Sequence, residues 1–204
     1  TTDLDGNPRI FNSTVDMGSY EQQYALHDVS GIVFVDSTKN GDGKTWATAV
    51  PKLADALKAA KNNSSISQIW VAKGTYYPLY DAASLGCSPT NSRDKSLVLV
   101  NNVKVYGGFA GGESDTIGRN FAVNETVLSG DIGVLNDSLD NAFHVLISAG
   151  TVGTAILDGF TVTKGNANSN LGSPVVNGYT SARCFGGGMY NLSTSPLVAN
   201  CSSI

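Results

Sequence analysis

Residues 101–113 read NNVKVYGGFAGGE, 125–131 ETVLSGD, 143–150 FHVLISAG and 153–167 GTAILDGFTVTKGNA. Each apolar run is too short for a helix. Each is rich in β-branched residues, and each ends at Gly, Asn or Asp. This punctuation predicts many short strands joined by tight turns. Val105, Val127, Val145 and Val162 recur at intervals too irregular for a strict motif, as several strands per repeat with variable corners would give. The architecture this implies is a coil of stacked short strands.

Working outward, Ile32 to Asp36 and Ile69 to Ala72 read as earlier strands. A turn follows near Lys73 and Gly74, and Leu197 to Ala199 reads as a last strand. Residues 80–95 and 166–183 read as long polar side loops, and Gly186 to Gly188 as another corner. One segment breaks the pattern. Across Pro51 to Lys61, residues Leu53, Ala56, Leu57 and Ala60 recur at helical spacing, with Thr48 as the expected N-cap and Pro51 in the first turn. A coil of strands leaves an open end with unpaired backbone. A single amphipathic helix is suited to cover it.

The 204 residues suffice for one large β-rich domain. Apolar residues make up 41% and charged residues 15%, which is the reverse of a disordered chain. The 23 glycines show no Gly-X-Y period, so they mark corners rather than collagen. A formal net charge of −4 and no Lys/Arg cluster exclude nucleic acid as a partner. No stretch is long and apolar enough to span a membrane, and no signal peptide is seen. The chain begins at Thr1 and stops at Ile204 within a repeat-like segment, so the expectation is a piece of a larger polypeptide. Cys87, Cys184 and Cys201 form no C-x-x-C pair, and His27 and His144 lie far apart, which argues against zinc. A Cys184–Cys201 disulfide and inert buried thiols both remain open.

The ordered series GDGKTWATAVPKLADALKAA, QIWVAKGTYYP, VKVYGGFAGGE, TVLSGD and ILDGFTVTKGNA resembles the start of a right-handed parallel β-helix. The resemblance is to pectin-lyase-like repeat proteins of bacterial surfaces. GGGMYN followed by LVANCS resembles the repeat of polymorphic outer-membrane and autotransported passenger proteins. The resemblance covers residues 31–204. It implies an all-β, single-stranded parallel β-helix with an N-terminal capping helix over 51–61, truncated at its C-terminal end. The stretch DLDGNPRIFNSTVDMGSYE, within residues 1–23, resembles the closing motif of such a module, as in a tandem protein; a short interdomain strand is the other reading. Asp3, Asp5 and Asn7 open like an EF-hand loop, but Gly6 is out of place and no glutamate closes it, so a turn is expected.

The family implies secretion and display on a bacterial surface. Many members are large adhesin-like proteins without known activity, and others of the fold cleave acidic polysaccharides; glycans or cell-surface proteins are the partners expected here. For such an enzyme the available carboxylates are Asp131, Asp137, Asp140 and Asp158. The bases are Lys73, Lys104 and Lys164, with Arg119 and Arg183 in loops. They form no evident catalytic set, and turn or corner roles are expected for Asp131 and Asp158. The sequence therefore names no catalytic, cofactor-binding or metal-ligating residue. Tyr76, Tyr77, Tyr80, Tyr106, Phe109, Tyr179 and Tyr190 suit either a sugar platform or wall packing. Asn101, Asn102, Asn166 and Asn191 are expected to satisfy turn backbone. The Asn124-Glu-Thr sequon is read as a chance match. The reading is a non-catalytic scaffold or binding module, with a polysaccharide lyase or glycoside hydrolase as the alternative.

Overall fold

The computed structural model describes residues 10–11, 14–15, 25–87 and 89–204. The EF-hand-like turn at Asp3, Asp5 and Asn7 and most of the closing motif lie outside the described residues.

Strands β1 (Ile10–Phe11) and β2 (Thr14–Val15) pair antiparallel. Then come β3 (Ile32–Val35), α1 (Leu53–Asn62), β4 (Gln68–Ala72), β5 (Gly74–Tyr76) and β6 (Leu97–Val98). The chain continues through β7 (Lys104–Phe109), β8 (Thr126–Ser129) and β9 (Leu146–Ala149). After β10 (Ile156–Asp158) and β11 (Thr161–Thr163) come β12 (Val175–Val176), β13 (Tyr179–Thr180) and β14 (Met189–Leu192). β15 (Leu197–Ala199) and β16 (Ser202–Ser203) are last.

Among the described residues, all the strands but those of the pairs β1-β2 and β12-β13 sort into three all-parallel sheets, ordered β15-β10-β7-β4-β3, β16-β11-β8-β5 and β14-β9-β6. The chain visits them in a fixed cycle: β4, β5, β6, then β7, β8, β9, then β10, β11, β14. The protein is thus β-rich, with parallel sheets and little helix. The valine series marks steps from sheet to sheet: Val105 lies in the first, Val127 and Val162 in the second. Val145 is not in a strand; it is buried immediately before β9.

Register places like residues in rows. Val33, Ile69, Val105 and Leu157 are successive Cα partners in the first sheet and all are buried. Tyr76, Leu128 and Val162 form the row of the second sheet. Leu97 and Leu146, with Met189 beyond them, form that of the third. The three rows share one core, which also takes up Leu53, Ala56, Leu57 and Ala60 of α1. The helix contacts β3, β4 and β6, so it lies over one end of the rows.

The helix differs from expectation at its start. It begins at Leu53 rather than Pro51 and ends at Asn62 rather than Lys61. Lys52 is extended at the N-cap position and makes no side-chain cap bond. Thr48 is instead held in the preceding loop, where its hydroxyl donates to Asp42 Oδ1 at 2.8 Å.

Two sheets are buried on their outer faces as well. Ile32, Phe34, Trp70 and Phe109 on the first sheet are roofed by Ala49 and Trp46 from the loop after β3. Trp70 stacks on Phe109 at 4.9 Å, and the Trp46 indole N–H donates to Glu113 O at 2.8 Å. Val98, Ile147 and Ala149 on the third sheet are covered by Ala82 and Val176. Burial on both faces explains the near-continuous apolar runs of these strands. The register slips between Trp70 and Ala72 opposite Gly107–Gly108. A Cβ on Gly107 would stand 2.5 Å from the Gly159 carbonyl, and Gly108 has φ +85°. The bulge and the close rung therefore require this glycine pair.

The segment 166–183, read as a plain loop, contains a hairpin: β12 and β13 pair antiparallel. Asn177 and Gly178 both take positive φ, as a two-residue Asn-Gly hairpin turn demands.

All three cysteines are free thiols, so the Cys184–Cys201 disulfide does not form. Cys87 is exposed, which also rules out a buried role for it. The Cys201 thiol donates to the Ala199 carbonyl at 3.1 Å, and burial pushes its pKa up. Thiol titration should find three reactive groups in denaturant; in the native protein Cys87 should react fast and Cys201 slowest. Protection of Cys87 would contradict the structure.

Candidate functional site

The long connections after β5, β8 and β11 all leave the second sheet and enter the third. They cover residues 77–96, 130–145 and 164–188, and they stack as a layer in the order of their strands. Loops positioned by rigid sheets are where binding groups concentrate.

The layer is tied by two arginines. A short 3₁₀ turn, Ser92–Asp94, is N-capped by Asn91, whose Oδ1 accepts from Arg93 N at 3.0 Å. The turn places Arg93 and Asp94 next to each other. Arg93 Nε donates to Asn141 O at 2.6 Å, and its Nη2 donates to Asn166 O at 2.6 Å and Asn168 Oδ1 at 2.8 Å. Arg183 reaches back across the layer. Its Nε donates to Asp94 Oδ1 at 2.7 Å, its Nη2 to Asp94 Oδ2, and its Nη1 to Leu171 O at 2.6 Å. The Asp94 carboxylate raises the Arg183 pKa, whereas burial lowers that of Arg93. Both guanidiniums lie over buried Phe143, at 4.0 and 5.2 Å from the ring centroid.

Next to Phe143, His144 is buried, with 2% of its surface exposed. Its Nδ1 lies 3.1 Å from the Gly186 carbonyl, which requires Nδ1–H as the donor. Nε2 is buried with no hydrogen-bond partner among the described residues, as are Asp140 Oδ1, Asn141 Oδ1 and Ser181 Oγ. Burial lowers the His144 pKa, opposed by the Gly186 carbonyl. The native histidine therefore resists a proton that the unfolded chain takes up below about 6.5. Between that pH and the lower native pKa, stability should fall as pH falls. His144→Asn, which keeps a donor towards Gly186, should flatten that part of the urea-midpoint profile. An unchanged slope would show that His144 does not carry it.

Lys164, Asp131 and Asn136 make a second knot. Lys164 Nζ donates to Asp131 Oδ2 and to Asn136 Oδ1, both at 2.7 Å. The lysine bond, with the Asn136 N–H, holds the Asp131 pKa below its usual value. Lys164 therefore does have a carboxylate partner. Asp140 Oδ2 accepts from Val134 N at 2.6 Å, and Asp137 Oδ1 from Leu139 N at 2.9 Å. These three acids frame their own loop.

Asp158 sits elsewhere, at the corner between the first and second sheets. It accepts from Asn200 Nδ2 at 2.7 Å and Arg119 Nη2 at 2.8 Å. Arg119 also lies over Tyr106, 4.8 Å from the ring centroid. Lys104 lies in a row with Gln68 and Ile156, and Lys73 is exposed between β4 and β5.

The aromatic residues do not share a surface. Tyr76 is in the core, its hydroxyl donates to Ala72 O at 2.9 Å, and burial pushes its pKa up to about 12. Tyr106 and Phe109 belong to the outer stack on the first sheet. Tyr80 donates to Asp55 Oδ1 at 2.5 Å beside α1. Tyr190 packs against His144, while Tyr179 is on the hairpin and Tyr77 is exposed. Asn124 is buried, with Nδ2 donating to Gly108 O at 3.3 Å, which denies its sequon to a glycosyl group. Asn102 Oδ1 accepts from Thr154 N at 3.0 Å and Asn166 Nδ2 donates to Ser138 O at 2.6 Å, the backbone roles expected of such residues.

A groove of about 110 Å³ runs between α1, β6 and residues 80–85. Its floor is Leu57, Leu97, Val98 and Val100, and Lys58 and Lys61 stand on its rim. Among the described residues no group of three His, Cys, Asp or Glu could hold a metal ion, and no helix is long and apolar enough to cross a membrane.

Acid–base catalysis needs a titratable group facing a substrate. In the layer Asp94 and Asp131 are ion-paired, and the bonds described for Arg93, Arg183 and Lys164 go to other parts of the layer. Arg93 and Asp94 were missed as a group with His144 because His144 comes from the next connection, 130–145. The signal available was the Asn-Ser-Arg-Asp turn, a capped polar segment inside an otherwise aperiodic stretch. No family model, curated protein or solved structure matches this chain.

Proposed function

We propose that residues 31–204 fold as a right-handed parallel β-helix whose N-terminal end is closed by α1. In this reading the chain is a non-catalytic module of a secreted or bacterial cell-surface protein. It displays its loop layer to glycans or cell-surface proteins, in the manner of the pectin-lyase-like, adhesin-like repeat proteins it resembles. The repeating visit to three parallel sheets supports the coil. One observation carries the non-catalytic reading: Asp94, Asp131 and Asp158 are each bound to a cation of the protein's own and hold loops, while Asp137 and Asp140 accept from backbone amides of their own loop. A glycan array tests binding. A reducing-sugar assay with an ultraviolet assay for unsaturated products, on uronate polymers with and without calcium, tests catalysis. Specific turnover would overturn the reading; no turnover is expected.

A further inference from the structure

Loop 131–140 turns its apolar side chains outward. Val134, Leu135 and Leu139 are 66, 74 and 72% exposed. Several of its polar groups are held within the layer: Asp131 accepts from Asn136 N at 3.1 Å, Asp140 from Val134 N at 2.6 Å, and Lys164 clamps Asp131 and Asn136 at 2.7 Å. Asn166 fixes the Ser138 carbonyl at 2.6 Å. A loop frozen by this many bonds loses little further freedom when it binds. Three aliphatic side chains held out on such a frame make a contact surface. Asp137 is exposed beside them.

The groove between α1 and β6 has the opposite character. It is recessed and apolar-floored, and it carries Lys58, which lies over the Tyr80 ring, and Lys61, which donates to neutral Asn177 Oδ1 at 2.7 Å, where the loop carries Asp137. Its volume of about 110 Å³ falls well short of the roughly 300 Å³ of ligand pockets. It is closer to the cavity of about 150 Å³ that accommodates benzene. That is room for an aliphatic side chain.

We propose that these surfaces are the two halves of a contact between copies of this chain, with the 134–139 loop of one seated in the α1–β6 groove of the next and Asp137 meeting Lys58 and Lys61. Nucleic acid and anionic lipid are disfavoured by Asp137 at the tip. Sugar faces seek aromatic rings, which the tip lacks. The two patches are different, so the contact is heterologous: it closes into a ring or reciprocal dimer, or extends as a chain. This inference does not rest on the proposed function.

Sedimentation velocity from micromolar to near-millimolar protein tests it. The wild type should associate reversibly. Leu135→Asp should weaken association about tenfold or more. Asp137→Lys and Lys61→Glu, both at exposed positions, should each weaken it alone, with circular dichroism unchanged. Mixing those two variants should restore association, because each still carries the half the other has lost. A wild type that stays monomeric, or a mixture that stays dissociated, would overturn the proposal. So would Leu135-dependent binding to zwitterionic vesicles without self-association, which would make the loop a membrane contact.

Discussion

Leu57→Asp should cost on the order of 4 kcal/mol or more, because it removes a core leucine and buries a carboxylate in its place. Leu57 is on the face of α1 that joins the common core, with only 5% of its surface exposed. A domain with a total stability of about 5–15 kcal/mol would be left near its limit. Removing the helix from the ends of the rows would also bare Val33, Ile69 and Leu97. The urea midpoint should fall sharply and size-exclusion chromatography should show self-association. Lys58 is a poor control because its ammonium lies over the Tyr80 ring at 4.2 Å. Lys52→Asp is a better one: it places a capping carboxylate at the vacant N-cap and should gain about 1 kcal/mol. If the two variants behave alike, α1 is not packed as described.

Arg183→Ala should cost about 3–5 kcal/mol, since it strands the buried Asp94 carboxylate. Arg183 and Asp94 side chains are 14% and 6% exposed, so solvent cannot make up the loss. The effect should spread along the layer. Hydrogen exchange should accelerate across 166–186, where Arg183 holds the Leu171 carbonyl. Replacing both partners with leucine should recover most of the loss, because the cost lies in the unpaired charge. A cost below about 1 kcal/mol for Arg183→Ala would place the pair among weak surface bridges.

What was legible in the sequence was local. Strands Ile32–Val35, Gln68–Ala72 and Leu197–Ala199 follow from short β-branched runs bounded by turn residues, and α1 from its apolar spacing. The helix start was misplaced because Thr48 looked like an ordinary cap, yet the helix begins only at Leu53, with Lys52 at the N-cap position, and Thr48 lies in the loop before it, bonded to Asp42. The hairpin of β12 and β13 was legible and missed. Val175-Val176-Asn177-Gly178-Tyr179-Thr180 is an Asn-Gly turn between β-formers, hidden in a segment whose polar composition suggested plain loop. The pairings that build the loop layer were not legible. Arg93 and Asn166, or Asp94 and Arg183, meet only once the parallel register brings successive loops side by side. The two outer aromatic and aliphatic faces were invisible for the same reason: Trp46 and Val176 become roofs only when their loops fold back onto a sheet.

The central claim is the in-register parallel stacking of successive rungs, and double-cysteine cross-linking measures it most directly. In a background with Cys87, Cys184 and Cys201 replaced by serine, Val127→Cys is combined with Thr161→Cys, its Cα partner on the next strand. Neighbouring strands lie about 4.8 Å apart, within the Cα range of a disulfide. The pair should oxidise readily. Val127→Cys with Thr163→Cys, shifted by one full side-chain period, should not. Equal cross-linking of the two pairs, or preference for the shifted one, would contradict the account.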